Sequence, residues 1–467
     1  MLSNSTKMPK AIPAIPRLRA LLNTRHFLRN PLGMIGKSLD EYGDTFKTYI
    51  GGVYPGIVTI NPALIQHVLQ KNNRNYCKSP MHFDKLARFL GYGLLTSEGD
   101  YWLRQRRLIQ PGFHRTRLAA LTELMQGVVD EFLVELDKEL SKDATLEMSS
   151  KMMELAFRII ARALFSTDLD EADLQKTAND ITLLQKFLIR QIRQPYLNPW
   201  FRVSGKLRRH EQIAQEFEQR VTDIIQRRRN SGERPDDLLQ MLLESRYEDN
   251  GEGMTDRQLF EECAILFVAG HETSANAMTW MWYLLSKHPE VVERIRQELE
   301  TTLGERKPGF EDLPKLVYCT QVIEETMRLY PPAWITDRVA MADDEFEGIK
   351  IPKGVMMVTY FYGVHHDPHQ WPDPERFDPD RFDKERRRQQ HPYAYIPFGG
   401  GPRLCIGNSF AMMEMQLALA AMIRAYDFEL VQEQVIEPQA LVTLRPKYGI
   451  KCAFGKSAKP YIKSSAP

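Results

Sequence analysis

The sequence predicts a mainly α-helical protein with a small β portion. Apolar residues recur at three- and four-residue spacing from about residue 62 to residue 329, as they do in amphipathic helices. One helical pattern runs unbroken from Thr255, a suitable N-cap, to Pro289, a suitable stop. Strand-like segments are short: residues 43–61, the stretch after Pro331 and two pieces near the C-terminal end. These three observations together indicate an α-rich fold.

The N-terminal segment is basic and rich in proline. The first 39 residues contain seven lysines and arginines and no acid, a composition shared by transit peptides. Prolines interrupt any amphipathic helix there, so we interpret the segment as an extended lead-in: Pro9, Pro13, Pro16 and Pro31. The next segment, GDTFKTYIGGVYPGIVTIN at residues 43–61, alternates and contains β-branched residues, which predicts a hairpin.

Composition limits the class of protein. The chain has 467 residues, 43% of them apolar, and a formal net charge of +1, so nothing overall suggests nucleic-acid binding. No apolar run approaches the roughly 18 residues that span a bilayer, so we expect no membrane anchor and a soluble, cytoplasmic protein. Five widely spaced cysteines fit a reducing compartment: Cys77, Cys263, Cys319, Cys405 and Cys452. The predicted organisation is one domain over 1–467, with a β-rich part at roughly 40–62, 335–365 and the C-terminal strands, and an α-rich part at roughly 62–330 and 405–426.

The predicted long helix has about 33 residues, or roughly 50 Å, and its middle is apolar nearly all round, which indicates burial. Midway it carries the residues AGHETS at 269–274. Gly270 has no side chain and so leaves room for another group to approach the helix closely. The hydroxyl of Thr273 can donate a hydrogen bond to the carbonyl four residues earlier. Two interpretations stay open from these residues: a helix kink with a solvated Glu272, or a proton-delivery pair of Glu272 and Thr273 facing a buried site.

A pair of charged residues follows in EETMRLYPP. Glu325 and Arg328 stand at i and i+3, close enough on a helix for an ion pair, although most such pairs are surface features. Arg376 lies farther on, in the loop WPDPERFDPDRF, where proline prevents a helix or a central strand.

The stretch FGGGPRLCIG, residues 398–407, places Cys405 among glycines and one arginine. Backbone without side chains lets a flat ligand approach and leaves amide N–H groups free to donate to a thiolate. A helical pattern resumes at Asn408, and the positive end of that helix dipole also favours the thiolate over the thiol. Cys405 is therefore a candidate nucleophile, zinc ligand or axial haem ligand. A nucleophile has no clear partner in His365 or His391, and zinc lacks three companion ligands, whereas haem iron needs only one thiolate.

Together these motifs resemble the cytochrome P450 family of haem-thiolate monooxygenases, of soluble bacterial type, over about Pro13 to Phe454. The cysteine stretch fits F-x-x-G-x-R-x-C-x-G at every fixed position: Phe398, Gly401, Arg403, Cys405 and Gly407. Residues 269–274 resemble the family's oxygen-activation motif. The remaining motifs are E-x-x-R and W-x-x-x-R, matched by Glu325 with Arg328 and by Trp102 with Arg106.

The resemblance implies a cytochrome P450 fold that holds non-covalent haem b, iron protoporphyrin IX. The haem is expected between the long central helix and the helix after the cysteine loop, with Cys405 as its axial ligand. The residues implied to contact it are Phe398, Gly401, Arg403, Gly407, Trp102, Arg106, Arg338, Ala269 and Gly270. Of these, the propionate partners are Arg403, Trp102, Arg106 and Arg338. Glu325, Arg328 and Arg376 are implied to form a structural lock.

The implied activity is the insertion of one oxygen atom from O2 into a C–H or C=C bond of a hydrophobic small molecule. A lipid, fatty acid, terpenoid or aromatic compound would fit, and Thr273 and Glu272 would relay protons. The residues implied to line the substrate site are Phe83, Phe89, Ala269, Trp334, Ile335 and Leu444. Two alternatives stay open: a haem-thiolate enzyme with peroxygenase, desaturase or oxidative-coupling chemistry, and a non-enzymatic haem sensor.

The resemblance also implies separate redox partners. We expect electrons from a ferredoxin or flavodoxin with its reductase, and a protein that works as a monomer. Such electron donors are acidic, so Arg104, Arg107 and the basic run at 384–388 are candidate docking residues.

Overall fold

The protein is described here by a computed structural model, which covers residues 12–79, 86–166 and 171–456. The helices are, in chain order, α1 (Arg17–Arg29), α2 (Pro31–Tyr42), α3 (Pro62–Gln66), α4 (Ala87–Leu90), α5 (Gly99–Ile109), α6 (Arg115–Leu140), α7 (Met148–Phe165), α8 (Glu171–Arg193), α9 (Asn198–Val203), α10 (Lys206–Ser231), α11 (Leu238–Glu244), α12 (Asp256–Lys287), α13 (Pro289–Leu303), α14 (Val317–Leu329), α15 (Phe361–His365), α16 (Lys384–Gln389) and α17 (Asn408–Ala425).

The strands are short, as the sequence predicts. They are β1 (Thr45–Ile50), β2 (Tyr54–Thr59), β3 (Tyr76–Cys77), β4 (Thr145–Glu147), β5 (Thr336–Ala340), β6 (Asp344–Phe346), β7 (Ile349–Ile351), β8 (Met356–Thr359), β9 (Tyr426–Leu430), β10 (Pro438–Ala440), β11 (Leu444–Pro446) and β12 (Lys451–Lys456). The predicted fold class, mainly helical with small sheets, is confirmed.

The chain divides into two compact units. The first unit comprises Met1–Met81 and Met327–Cys405, and the second comprises His82–Thr326 and Ile406–Pro467. The expectation of one domain over 1–467 therefore stays a prediction. Within the described ranges, none of the helices combines the length and the hydropathy that crossing a membrane requires.

The first unit contains a five-stranded sheet in the order β1-β2-β8-β5-β3. β1 and β2 form the antiparallel hairpin predicted from residues 43–61, and β2 pairs with β8 in parallel. Gly51 and Gly52 make the turn of this hairpin, with φ values of +61° and +75° that side-chain-bearing residues rarely adopt. β5, which carries Arg338, lies between β8 and β3 and is antiparallel to both.

The prediction of an extended lead-in is wrong from residue 17 onward. α1 begins directly after Pro16, and Pro31 is the first residue of α2. Proline is tolerated at the first helical position because its missing N–H would have no partner there and its φ already suits a helix. Pro16 and Pro31 therefore mark helix starts, whereas Pro13 lies in the extended segment that precedes α1. Pro9 lies outside the described residues.

The second unit is built around α12. This helix has 32 residues and begins with the predicted cap, since Thr255 and Gln258 form a reciprocal capping box. α12 is buried along most of its length, and α7 packs against it, with the rings of Phe157 and Phe267 at 4.9 Å. The buried indoles of Trp280 and Trp282 lie near its C-terminal end.

The C-terminal strands pair within the helical second unit. We grouped them with the other strands in a β-rich part, but β12 pairs with β4 and β9, and β10 pairs with β11. β4 lies between α6 and α7, where the helical pattern conceals a strand of only three residues. β4 therefore provides a pairing partner for β12, and the composition of the chain could not indicate this pairing.

Candidate active site

The cysteine loop lies in the first unit and is shaped by its glycines. Gly401 has a φ of +67°, and a Cβ at this position would overlap the carbonyl oxygen of Leu69. The loop is closed by a backbone hydrogen bond of 3.0 Å from the amide N–H of Cys405 to the carbonyl of Phe398. Only glycine at 401 permits this close approach to the neighbouring backbone, which presents Cys405 at the end of a rigid turn.

Exposure singles out Cys405 among the five cysteines, all of which lie in the described ranges. Cys405 is exposed, whereas Cys263, Cys319 and Cys452 are buried and Cys77 is half-buried. Burial raises the pKa of the Cys452 thiol to about 12 and also raises the pKa values of the Cys263 and Cys319 thiols well above the ordinary range. These buried thiols stay protonated at neutral pH, so Cys405 is the cysteine best placed to ligate a group as thiolate.

The two other interpretations of Cys405 lose support. In the ranges 12–79, 86–166 and 171–456, no group of three or more His, Cys, Asp or Glu side chains could hold a metal ion. His365 is fully buried, burial holds its pKa well below the usual range, and its Nε2 accepts from the amide of Ile396 at 3.0 Å. The Nδ1 of His391 accepts from the amide of Tyr393 at 3.1 Å. Both histidines thus brace the loop backbone instead of serving as a base.

The middle of α12 opens to solvent-accessible space on one side. Ala269 is exposed and Thr273 is half-buried, although the helix around them is buried. The hydroxyl of Thr273 donates to the carbonyl of Ala269 at 2.7 Å, as the sequence predicts. A Cβ on Gly270 would lie 3.0 Å from Ile160, so the bare side of this glycine admits α7 and serves helix packing.

Glu272 is not solvated, so the interpretation of residues 269–274 as a helix kink with a solvated Glu272 is wrong. Its side chain is 9% exposed and both carboxylate oxygens accept hydrogen bonds. Gln185 on α8 donates to Oε2 at 2.9 Å, and the hydroxyl of Thr443 donates to Oε1 at 2.7 Å. Asn276 in turn donates to Thr443 at 3.0 Å. The carboxylate is therefore held in one position by a buried polar network beside Thr273.

Sequence reasoning did not identify this network or a second acid near it. Glu414 on α17 is fully buried, and neither of its carboxyl oxygens makes a hydrogen bond within standard limits. Burial raises the pKa of Glu414 to about 8, partly offset by the nearby Ser274 hydroxyl. The carboxyl is thus mostly protonated at neutral pH. The available signal was an acid within the otherwise apolar pattern of residues 408–425.

The structural lock is only partly as expected. Arg328 is fully buried and donates to the carbonyls of His365 at 2.8 Å and Arg376 at 3.2 Å, and Glu325 is also fully buried. The side chain of Arg376 is exposed, however, so this residue contributes its backbone and not its guanidinium. Arg381, five residues later, is the buried arginine of the loop and donates to the carbonyls of Pro372 and Asp373, each at 2.6 Å.

The predicted propionate partners occupy both units. Arg403 is half-buried in the cysteine loop, and Arg338 on β5 donates to the carbonyl of Asp337 at 2.5 Å. Trp102 is buried on α5, and the half-buried Arg106 lies one turn later on the same face. Their meeting around one haem stays a prediction. Gly407 is the N-cap of α17, and a Cβ there would only touch Phe113 at 3.9 Å, so no contact requires glycine.

The predicted substrate residues have diverse surroundings. Phe83 lies outside the described residues. Phe89 is buried in an apolar cluster with Phe187, Phe201 and Leu207, the packing of a core residue. Trp334 is buried with its ring edge-on to Tyr360, and Ile335 beside it is half-buried. Leu444 is fully buried, and its carbonyl accepts from the indole N–H of Trp280 on α12 at 3.3 Å. Lining of a substrate site by these residues stays a prediction.

Comparison with protein families gives one match over nearly the whole chain. The model of the cytochrome P450 family matches residues 9–453. Among curated relatives, cyclooctat-9-en-7-ol 5-monooxygenase of Streptomyces melanosporofaciens is 33% identical over 88% of this chain and 87% of its own length. Pentalenene oxygenase of Streptomyces avermitilis is 32% identical over 93% of this chain and 94% of its own length.

Solved structures resemble the protein along its length. The haem domain of cytochrome P450DA has a TM-score of 0.84 and 21% identity, with 97% of this chain and 99% of that chain covered. A retinoic-acid-bound cyanobacterial CYP120A1 has a TM-score of 0.82 and 26% identity, with 96% of this chain and 100% of that chain covered. The architecture of the chain thus agrees with that of these solved structures.

Proposed function

Because this chain belongs to the cytochrome P450 family, an oxygen-incorporating class of oxidoreductase that holds haem through an axial cysteine, we propose that Cys405 is that cysteine. The observation that carries this assignment is exposure. Cys405 is the exposed thiol of the five, and it ends a glycine turn that nothing larger than glycine at 401 would allow. The donor set also fits, since a single thiolate suits haem iron and no three-ligand metal cluster exists within the described residues.

The other residues proposed to contact the haem suit its propionate groups and its flat ring. Arg403, Arg338 and Arg106 are the cations proposed to hold its propionates, with Trp102 adding an N–H donor. The exposed Ala269 and the half-buried Thr273 leave one side of α12 accessible, as a helix that contacts a haem would require. When bound, haem supplies the iron at which O2 is reduced with two electrons and two protons, one oxygen atom entering the substrate and the other leaving as water.

We assign proton delivery to Thr273 and Glu272. The Thr273 hydroxyl is oriented by its bond to the Ala269 carbonyl, and its oxygen keeps the capacity to accept a further hydrogen bond. Glu272 is the adjoining acid, and its network with Gln185 and Thr443 fixes where it can take up a proton. In this relay Thr273 Oγ1 would give its own hydroxyl proton to the site and accept a replacement proton that Glu272 supplies. This acid–alcohol pair supports a dioxygen-dependent monooxygenase over peroxygenase chemistry.

The substrate we propose is a hydrophobic small molecule of the terpenoid class. The relatives named above act on cyclooctat-9-en-7-ol and, by name, on pentalenene. Residues available to this chain near the implied site are apolar, among them Trp334, Ile335 and Leu444. A hydroxyl group or an epoxide placed on a terpenoid hydrocarbon would be the product.

The electron donor we propose is a ferredoxin or flavodoxin with its reductase, acting on a monomeric, cytoplasmic enzyme. Two features support an acidic partner. α16 is a short helix that carries the basic run at residues 384–388, exposed except for the half-buried Arg387, and α5 exposes Arg104 and Arg107. Arg104 already pairs with Asp249 at 3.2 Å, so Arg107 and α16 have the more available charge.

The test compares two cysteine variants in the haem-loaded protein. Cys405→Ala is expected to lose the red-shifted Soret band of the reduced carbon monoxide complex, which depends on a thiolate ligand. Cys77→Ala, which changes a half-buried cysteine, is expected to keep it. A normal band in Cys405→Ala would refute the assignment. Product formation with peroxide alone, at the rate obtained with a surrogate ferredoxin pair, would favour the peroxygenase alternative.

A further inference from the structure

The outward face of α1 carries leucines where a solvated helix usually carries polar residues. Leu18, Leu21 and Leu22 are 70%, 53% and 67% exposed. At about 100° per residue, these positions and those of Arg25 and Arg29 fall on one stripe of the helix. The packed side of α1 lies opposite, at the buried Ala20. The exposed leucines are therefore not the edge of the core.

The turn of the neighbouring hairpin continues this surface within the first unit. Val53 and Tyr54, which follow the turn between β1 and β2, are 57% and 63% exposed. A Cβ on Gly52 would lie 2.7 Å from Leu21, and Arg17 donates to the Gly52 carbonyl at 3.2 Å, so helix and turn are in contact. We call Leu18, Leu21, Leu22, Val53 and Tyr54 the apolar ridge.

The charged side chains on the stripe of α1 that carries the leucines are basic. Residues 1–39 contain seven lysines and arginines, and the first acid of the chain is Asp40. Arg19 is ion-paired with Glu41 at 2.7 Å, whereas Arg25 and Arg29 are exposed on the same stripe as the leucines. A second copy of the chain would bring two such basic faces together against electrostatic repulsion. An anionic surface with an apolar interior satisfies both the leucines and the arginines.

We propose that the apolar ridge docks the protein peripherally on an anionic lipid membrane. Leu18, Leu22 and Tyr54 enter the boundary between headgroups and acyl chains, while Arg25 and Arg29 meet lipid phosphates. Affinity then has an apolar part, set by the leucines, and an electrostatic part that salt screens. This docking does not depend on the haem ligand or on the substrate.

The experiment measures co-sedimentation of the haem-loaded protein with vesicles of phosphatidylglycerol and phosphatidylcholine, and with phosphatidylcholine vesicles alone. We expect binding to the anionic vesicles that weakens with salt. Leu18→Asp/Leu22→Asp should reduce the partition coefficient by about tenfold or more, because two apolar anchors are lost and negative charge is added. Arg25→Gln/Arg29→Gln should weaken binding and flatten its salt dependence.

The control is Val435→Asp, which adds one negative charge at a residue 66% exposed but outside the apolar ridge, and it should bind nearly as the wild type does. Retention of the Soret band in every variant shows that the fold is intact. Wild-type protein that ignores anionic vesicles at low salt overturns the proposal, as does equal loss in Val435→Asp. A change of oligomeric state in Leu18→Asp/Leu22→Asp, without a change in vesicle binding, would instead identify a contact between two copies.

Discussion

Replacing Thr443 by valine removes one of the two donors that hold Glu272 while keeping the shape of the side chain. The hydroxyl donates to Glu272 Oε1 at 2.7 Å and accepts from Asn276 at 3.0 Å. A hydrogen bond to a charged group contributes about 1.5–3 kcal/mol, and an orphaned buried amide costs about 1 kcal/mol more. We therefore expect Thr443→Val to lower the free energy of unfolding by about 2–4 kcal/mol.

The assay is urea unfolding followed by circular dichroism, with Thr279→Val as the control. Thr279 is equally buried, but its hydroxyl only bonds back to the carbonyl of Ala275 in the same helix, so the loss should stay below about 1 kcal/mol. In a Glu272→Ala background the cost of Thr443→Val should shrink by about 1 kcal/mol or more, because the acceptor is gone. Equal costs at residues 443 and 279, or no change in that background, would refute the network.

The network also predicts a functional signature. A carboxylate held by Gln185 alone is less well placed beside Thr273, so Thr443→Val should form less product per electron pair and release more peroxide. Thr279→Val should keep the wild-type ratio.

Three further predictions concern stability. Because burial raises the pKa of Glu414 to about 8 from an ordinary 4.5, the folded state binds the extra proton, and the free energy of unfolding should fall by up to about 1.4 kcal/mol per pH unit between those values. Glu414→Gln should remove this slope in urea titrations, and parallel slopes would contradict the burial argument. Gly401→Ala should reduce haem content and thermal stability through a backbone clash. Gly399→Ala, also at positive φ but with no atom within 4 Å, should cost only about 1 kcal/mol, so equal effects would count against the clash. Arg381→Ala should lower the free energy of unfolding by about 2–4 kcal/mol, and Arg376→Ala should lower it by less than about 0.5 kcal/mol. A larger loss in Arg376→Ala than in Arg381→Ala would show that Arg376 is the arginine that anchors this loop.

Features that depend on local sequence were predictable. α12 was identified to within a residue or two because its cap, its stop and its apolar length all act within one segment. The hairpin of β1 and β2 likewise follows from alternation and a glycine turn. The N-terminal helices were missed because proline has opposite effects inside a helix and at its first position, and the pattern does not say which applies.

Features that depend on tertiary contacts were not predictable. Glu272 is held by Gln185 and Thr443, which lie 87 and 171 residues away along the chain, and no spacing rule joins them. The choice between Arg376 and Arg381 in one loop depends on which guanidinium the folded backbone encloses. Cys405 could be selected by its motif, but its distinction from the four other cysteines came from burial.

The hydrogen bond between Gln185 and Glu272 makes the orientation of the Glu272 carboxylate depend on the position of α8. Gln185 lies on α8, and its amide occupies Oε2 of the carboxylate whenever α8 is in the described position. A displacement of α8 would break this bond and leave the carboxylate to the Thr443 hydroxyl, which donates to Oε1. α8 therefore acts as a latch on the carboxyl group, because the direction in which the Glu272 side chain points depends on where Gln185 lies.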